Sequence, residues 1–253
     1  MANFQPSLET NDQKKEKKME YLIIIIICII TMLLLKFAWK IKISDIKKIK
    51  EIGYDENLNK ITNKLPENKQ ICAKILKMLH NETVQIEEKE NNTASLYIAI
   101  SNTIFIANIK NTFTRVQTIS HECLHSVQNR TTLLFNFFFS NVYFLYFIVI
   151  CILRLLNQLN FAMIHIFILT MLGVIYYAIR SYLEMDAMTK ATFLAKEYME
   201  KTEKLTPEEI NLLTETNKVV TEIGIKLYHY KLLFNCVIKI VFFATFNLIC
   251  TLP

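Results

Sequence analysis

The stretch Ile119-Ser120-His121-Glu122-Cys123-Leu124-His125-Ser126-Val127-Gln128 sets two histidines four residues apart, with a glutamate directly after the first. Helical residues four apart share a face, so both imidazoles of such an HExxH segment can reach one ion. Glu122 lies one step around the helix, where it can hydrogen-bond metal-held water without competing as a ligand. Zinc in such a site lowers the pKa of its water towards neutrality and polarises a carbonyl. Glu122 is then the expected base, accepting the water proton and passing it to a leaving amine. A chain with five histidines among 253 residues seldom forms this pattern by chance. The bland alternative is a solvated helix whose histidines and glutamate are surface groups.

Working outward, residues 112–130 read as the motif helix. Before it, residues 96–100 and 104–107 are short and β-prone, with Ser101-Asn102 as the turn between them. Residues 43–52 and 69–79 have helical apolar spacing, the second following Pro66. After the motif, residues 182–204 read as a helix, and Thr206-Pro207-Glu208-Glu209 is a capping box with proline at the first helical position.

Hydrophobic residues make up 52% of the chain while charged residues still reach 21%, which points to apolar segments separated by charged ones. Crossing a bilayer takes about 20 largely apolar residues in a helix. Four stretches qualify: 21–39, 132–153, 161–178 and 232–250. For the first, a cleavable signal peptide is the alternative, but its apolar core is long and no small-residue cleavage site follows it. The second and third are joined only by residues 154–160 and form a hairpin, so the regions flanking it (40–131 and 179–231) share one side of the membrane. The net charge of +6 suits a protein beside anionic lipid heads. Nucleic acid is not an expected partner, because the lysines are dispersed and no nucleic-acid module is present. The six cysteines show neither CxxC pairs nor regular spacing, so neither a disulfide framework nor a thiolate metal site is indicated.

A catalytic zinc takes three protein ligands. Glu184 is the candidate, since Ala187, Ala191, Leu194 and Tyr198 continue from it at helical spacing as an inward-facing stripe. A carboxylate on a buried face needs a cation or a partner. An ordinary ion pair with a lysine is the alternative. The hairpin topology puts Glu184 on the same side as the histidines.

These residues carry a resemblance. Residues 119–128 together with Leu183-Glu184-Met185-Asp186-Ala187 resemble the YugP-type neutral zinc metallopeptidases, small bacterial membrane proteins. That family has one N-terminal span, a β-strand region, HExxH, a hairpin of two spans, a Glu-x-Asp/Asn-Ala segment and a final span, and the resemblance follows nearly the whole chain in order. It implies zinc held by His121, His125 and Glu184, with Glu122 as base and Asp186 in a supporting role behind the ligands. It also implies a zincin-like arrangement, in which a strand near the motif helix binds extended substrate. Leu124 departs from the family, which has a small residue before the second histidine; leucine there is expected to narrow the cleft. A looser resemblance is to HtpX-like and CAAX-processing membrane proteases.

Tyr228, His229 and Tyr230 are either an interfacial aromatic belt or the source of an oxyanion-stabilising donor. His165 and Lys239 lie inside spans, where packing or a polar pathway could account for them. The lysines and arginines near span ends favour a cytoplasmic catalytic side, against the basic tail that carries Lys14, Lys15, Lys17 and Lys18.

The expected architecture is an α-helical integral membrane protein, multi-pass in the cell membrane, with about four transmembrane helices and a small α+β zincin-like catalytic region. Its segments are a basic tail (1–20), an anchor (21–39), the HExxH region (40–131), a transmembrane hairpin (132–178), a helical region with the third ligand (179–231) and a final span (232–253). The expected activity is zinc-dependent endoproteolysis of peptide or protein substrates, including membrane-associated ones. The alternatives are a catalytically degenerate membrane scaffold that keeps a peptidase fold, and a small transporter using Lys239 and His165.

Overall fold

A computed structural model describes residues 11–88 and 94–250. Residues 1–10 of the expected tail and 251–253 of the expected last segment lie outside the described residues. The remainder of the tail is not separate from the anchor: helix α1 (Asn11–Ala38) starts within it and runs on through the isoleucine-rich stretch. Among the described residues, four helices are long and apolar enough to cross a membrane: α1, α6 (Arg130–Leu155), α7 (Ala162–Thr202) and α8 (Pro207–Cys250). The chain divides into two compact units.

One unit comprises the chain to Lys40, Ser140–Tyr177 and the chain from Tyr230. Its core gathers Tyr143 and Ile150 of α6, Ile166 and Leu169 of α7, and Phe243 and Ala244 of α8. Gly173 lets two helices approach closely, because a Cβ there would stand 3.1 Å from the Tyr143 hydroxyl and 3.5 Å from Cys236 Cβ. His165 Nδ1 and the Tyr146 hydroxyl are hydrogen-bonded at 2.9 Å. Lys239 donates to the Asn235 carbonyl at 3.1 Å and lies 4.8 Å from the centre of the Tyr143 ring. Each of these two polar residues therefore has a packing partner of its own.

The second unit, Ile41–Phe139 with Ala178–His229, holds α2 (Ile43–Gly53), α3 (Glu56–Thr62), α4 (Asn68–Met78), a sheet, α5 (Arg115–Val127) and the adjoining parts of α7 and α8. The sheet has the order β1-β3-β2, from β1 (Gln85–Glu88), β2 (Leu96–Ile98) and β3 (Thr103–Ile106). β2 and β3 pair antiparallel with Tyr97 opposite Ile104, and Asn102 in the turn takes the left-handed conformation that asparagine tolerates. β1 pairs parallel to β3, which becomes the central strand and buries Ile104 and Ile106. Periodicity gave no sign of β1, because only Ile86 of its four residues is apolar.

The motif helix is shorter than expected. α5 ends at Val127, Gln128 is extended (φ −67°, ψ 163°), and α6 starts afresh at Arg130 with Asn129 Oδ1 capping the Thr132 N–H at 3.0 Å. After the hairpin the opposite correction applies, since the span expected over 161–178 and the helix expected over 182–204 are one helix, α7. The capping box forms as expected: Thr206 Oγ1 accepts from the Glu209 N–H at 3.3 Å, and a Glu209 oxygen accepts from the Thr206 N–H at 3.1 Å.

The core of this unit is built from Ile71 and Ile75 of α4, Ile104 of β3, Ile119 and Cys123 of α5, Ala187 and Ala191 of α7, and Leu213 of α8. Inside it lies Arg115, 1% exposed, whose guanidinium donates to the carbonyls of Leu65 (2.9 Å), Pro66 (2.6 Å) and Lys110 (3.3 Å). It ties the first turn of the motif helix to the loop that leads into α4. Replacing it by methionine keeps the bulk but leaves those carbonyls unpaired. Arg115→Met is expected to destabilise this unit by about 2–3 kcal/mol; a lower thermal transition of the detergent-solubilised protein is the check, and an unchanged one would refute the tie.

Candidate metal centre

Helix α5 presents His121 and His125 one turn apart, and α7 brings Glu184 against them. His121 Nε2 lies 3.3 Å from Glu184 Oε2, His125 Nε2 lies 3.8 Å from the same oxygen, and the two Nε2 atoms are 3.1 Å apart. A tetrahedral ion with bonds of about 2.0–2.1 Å sets its ligand atoms roughly 3.3–3.4 Å from one another. The three residues can therefore hold a metal ion, all three ligand atoms lying within 4.8 Å of each other.

The surroundings fix which atoms point at that position. Gln128 Nε2 donates to the Leu183 carbonyl at 2.8 Å and to Asp186 Oδ2 at 3.0 Å, so its Oε1 is the atom turned to His125 Nδ1, at 2.8 Å. An amide oxygen only accepts, which puts the proton on Nδ1 and leaves the Nε2 lone pair of neutral His125 for an ion. The break after Val127 is what frees Gln128 to turn back in this way. Asp186 thus acts on His125 through Gln128, with no direct bond to a histidine.

Glu184 is divided in its contacts. Its Oε2 faces the histidines while Oε1 receives Arg180 Nη2 at 2.7 Å, one turn earlier on α7. The ion pair weighed as the alternative does exist, with arginine in place of lysine, and it occupies the oxygen that the histidines do not. Burial alone would raise the Glu184 carboxyl. The hydrogen bonds to His121 and His125, with the Arg180 charge, outweigh it and hold the group far below the usual carboxylate range. The effect on His125 is reciprocal: burial lowers it, but its contact with Glu184 leaves it above its ordinary value.

Glu122 is 7% exposed, and its Oε2 accepts the backbone N–H of Tyr97 at 2.7 Å. Burial pushes its carboxyl up, against the pull of the two histidines and of that N–H. The bond joins the motif helix to β2, an edge strand whose other side pairs with β3. Leu124 is buried in the same hydrophobic cluster as Cys123 and does not line the cavity beside His121. Cys123 is fully buried with its Sγ 3.6 Å from Cys72 Sγ.

His121 and Glu184 open onto a cavity of about 400 Å³, which Tyr228 also lines. The Tyr228 hydroxyl accepts from Arg180 Nε at 3.0 Å. Of the aromatic trio, Tyr228 is the one brought to the metal centre; His229 lines a separate depression with Asp186. Sequence pattern singled out neither Arg180 nor Gln128. Their positions, one turn before Glu184 and three residues after His125, were the available signal.

Comparison with protein-family models, with curated proteins and with solved structures finds no match to this chain.

Loss of the Gln128 relay is expected to weaken metal binding without removing a ligand. Gln128→Leu should lower the affinity for a divalent cation by roughly 10–100-fold, measured by competition with a chelator; unchanged affinity would show that the relay has no hold on His125.

Proposed function

We propose that this chain is a membrane-bound, zinc-dependent endopeptidase in which His121, His125 and Glu184 hold the metal and Glu122 is the general base. The observation that carries this reading is the triangle of two Nε2 atoms and one carboxylate oxygen at 3.1, 3.3 and 3.8 Å, with the buried Glu122 of the same HExxH helix beside it. Two neutral nitrogens and one carboxylate are the donor set that suits a catalytic zinc. Zinc there would supply Lewis acidity, polarising the scissile carbonyl and acidifying water.

The other steps belong to residues of the chain. Glu122, with its carboxyl raised by burial, accepts the proton of the attacking water and returns it to the departing amine. Gln128 holds His125 in the ligating tautomer, and Arg180 keeps Glu184 turned so that one oxygen serves the metal. Tyr228, held by Arg180 at the rim of the cavity, is the donor assigned to the negative charge that develops on the carbonyl oxygen. β2 ends the sheet next to Glu122, which supports binding of an extended peptide along that edge. Glu184 and Tyr228 lie on helices that continue into apolar spans, which favours membrane-associated substrates. The distribution of lysine and arginine favours a cytoplasmic catalytic side.

The test is metal content and proteolysis of the detergent-purified protein. Wild type is expected to carry about one zinc per chain. Glu184→Ala should lose most of it. Glu122→Gln should keep the zinc while proteolysis falls by at least ~10²-fold. Wild-type protein that takes up no metal when zinc is supplied would overturn the reading and leave the degenerate scaffold in its place.

A further inference from the structure

Helix α2 belongs to the unit that holds His121, His125 and Glu184, yet none of its residues is fully buried. Its inner side is Asp45, Ile49 and Ile52, spaced by four and three, each partly buried. Ile52 packs against the core of the unit. A second side carries Ile43, Ile46, Lys47 and Lys50 at helical spacing, and Tyr54 at the C-terminal cap continues the line. All five are exposed, Ile43 by 69%, Ile46 by 51% and Tyr54 by 74%.

A lone exposed isoleucine is ordinary on a protein that faces water. This line is different in composition, because three large apolar residues share it with two lysines and no acid. Of the two acids of α2, Asp45 is on the inner side and Glu51 lies off the line. Among the described residues no ion pair neutralises Lys42, Lys47, Lys48 or Lys50. From Lys40 to Lys50 the chain has five lysines against the single acid Asp45. Such a face is complementary to a surface that is apolar beneath and negatively charged above. Isoleucines sink to the boundary of headgroups and acyl chains, tyrosine anchors at the same level, and lysine stems reach back to the charged layer.

The position of α2 in the chain points the same way. It starts at Ile43, five residues beyond Ala38, the last residue of a helix apolar enough to cross a membrane. Five residues reach about 18 Å at most, even when fully extended. A tether of that length keeps α2 close to the membrane surface at which α1 ends. We propose that α2 lies on an anionic lipid surface through Ile43, Ile46 and Tyr54, with Lys47 and Lys50 on the lipid phosphates. The proposal rests on the membrane-bound part of the reading above and requires neither a metal nor Glu122. Because Ile52 packs on the core of its unit, this contact fastens that unit to the lipid.

The experiment places a tryptophan reporter in the full chain, whose one tryptophan, Trp39, is first replaced by Trp39→Phe. The reporters are Ile46→Trp on the exposed line, Ser44→Trp off it, and Ile30→Trp within α1. Each protein is put into nanodiscs of phosphatidylcholine, alone or with an equal part of phosphatidylglycerol. Quenching is read with acrylamide from the water and with brominated acyl chains from the lipid. In the anionic discs Ile46→Trp is expected to be several-fold less open to acrylamide than Ser44→Trp, and to be quenched by the brominated chains. Adding Lys47→Glu and Lys50→Glu should return it to the Ser44→Trp level. These positions are all exposed, so the changes leave the core of the unit intact. Equal access of acrylamide to Ile46→Trp and Ser44→Trp in anionic discs would overturn the proposal. So would shielding that is the same in neutral discs and survives charge reversal, which would assign the face to a protein partner. Brominated chains that fail to quench Ile30→Trp would instead remove the membrane reading itself, and the proposal with it.

Discussion

Glu184 is an ionised carboxylate on a helix face otherwise made of Ala187, Ala191, Leu194 and Tyr198, all of them buried. Taking such a group out of water costs several kcal/mol unless opposite charge or donors offset it. Arg180 satisfies one oxygen and the two histidines of α5 face the other. This single requirement orders much of the unit that holds it. It brings α7 against α5 at the level of His121, and the alanines below Glu184 let the two helices stay close. It also turns Arg180 inward, which places the Tyr228 hydroxyl of α8 at the same level. An ion in the centre would answer the same demand more fully, since one cation would meet two nitrogens and a carboxylate together.

The grouping of His121, His125 and Glu184 was legible in the sequence because it depends on period. Histidines four apart, the stripe that starts at Glu184 and the capping box at Thr206 all depend on the 3.6-residue repeat and on residue type, and the structure places each on the expected face. The four helices long and apolar enough to cross a membrane were legible for a similar reason, as length and apolar content suffice to find them. The hairpin of β2 and β3 was found from β-branched residues and a turn at Asn102.

What the sequence hid depends on breaks and on long-range pairing. β1 has one apolar residue in four and exists because β3 offers it a parallel edge. Nothing local ends the motif helix at Val127. Its end is favoured by contacts made elsewhere, since extended Gln128 exchanges a place in a helix for hydrogen bonds to His125, Leu183 and Asp186. The fusion in α7 of the apolar stretch and the helix that carries Glu184 was missed for the reverse reason: the polarity change after Ala178 looks like a boundary, yet backbone hydrogen bonding in a helix is indifferent to it. Arg180 was not singled out in the sequence, although one turn before a buried glutamate is a place where an ion pair forms.

The candidate metal centre and the cavity beside it are also one periodic construction. Helix α7 supplies Arg180 and Glu184 to the first and Met188 and Ala191 to the second, all at intervals of three or four residues. Helix α8 supplies Tyr228 at one end and Asn217 at the other along a single face, and α5 gives His121 and Gln117 in the same manner. Each helix therefore fixes, by its own rise, how far the His-His-Glu group lies from the other end of the cavity. A slip of one turn on any of the three would move its residues by about 5.4 Å and separate the two ends from their partners. The bonds that hold the register are few and polar: Gln117 to Thr221, Arg180 to Tyr228, and Glu184 to the histidines. The apolar core supplies most of the stability of this unit, but apolar contacts alone tolerate sliding. Those directional contacts are what set how far from His121 and Glu184 the far end of the cavity lies.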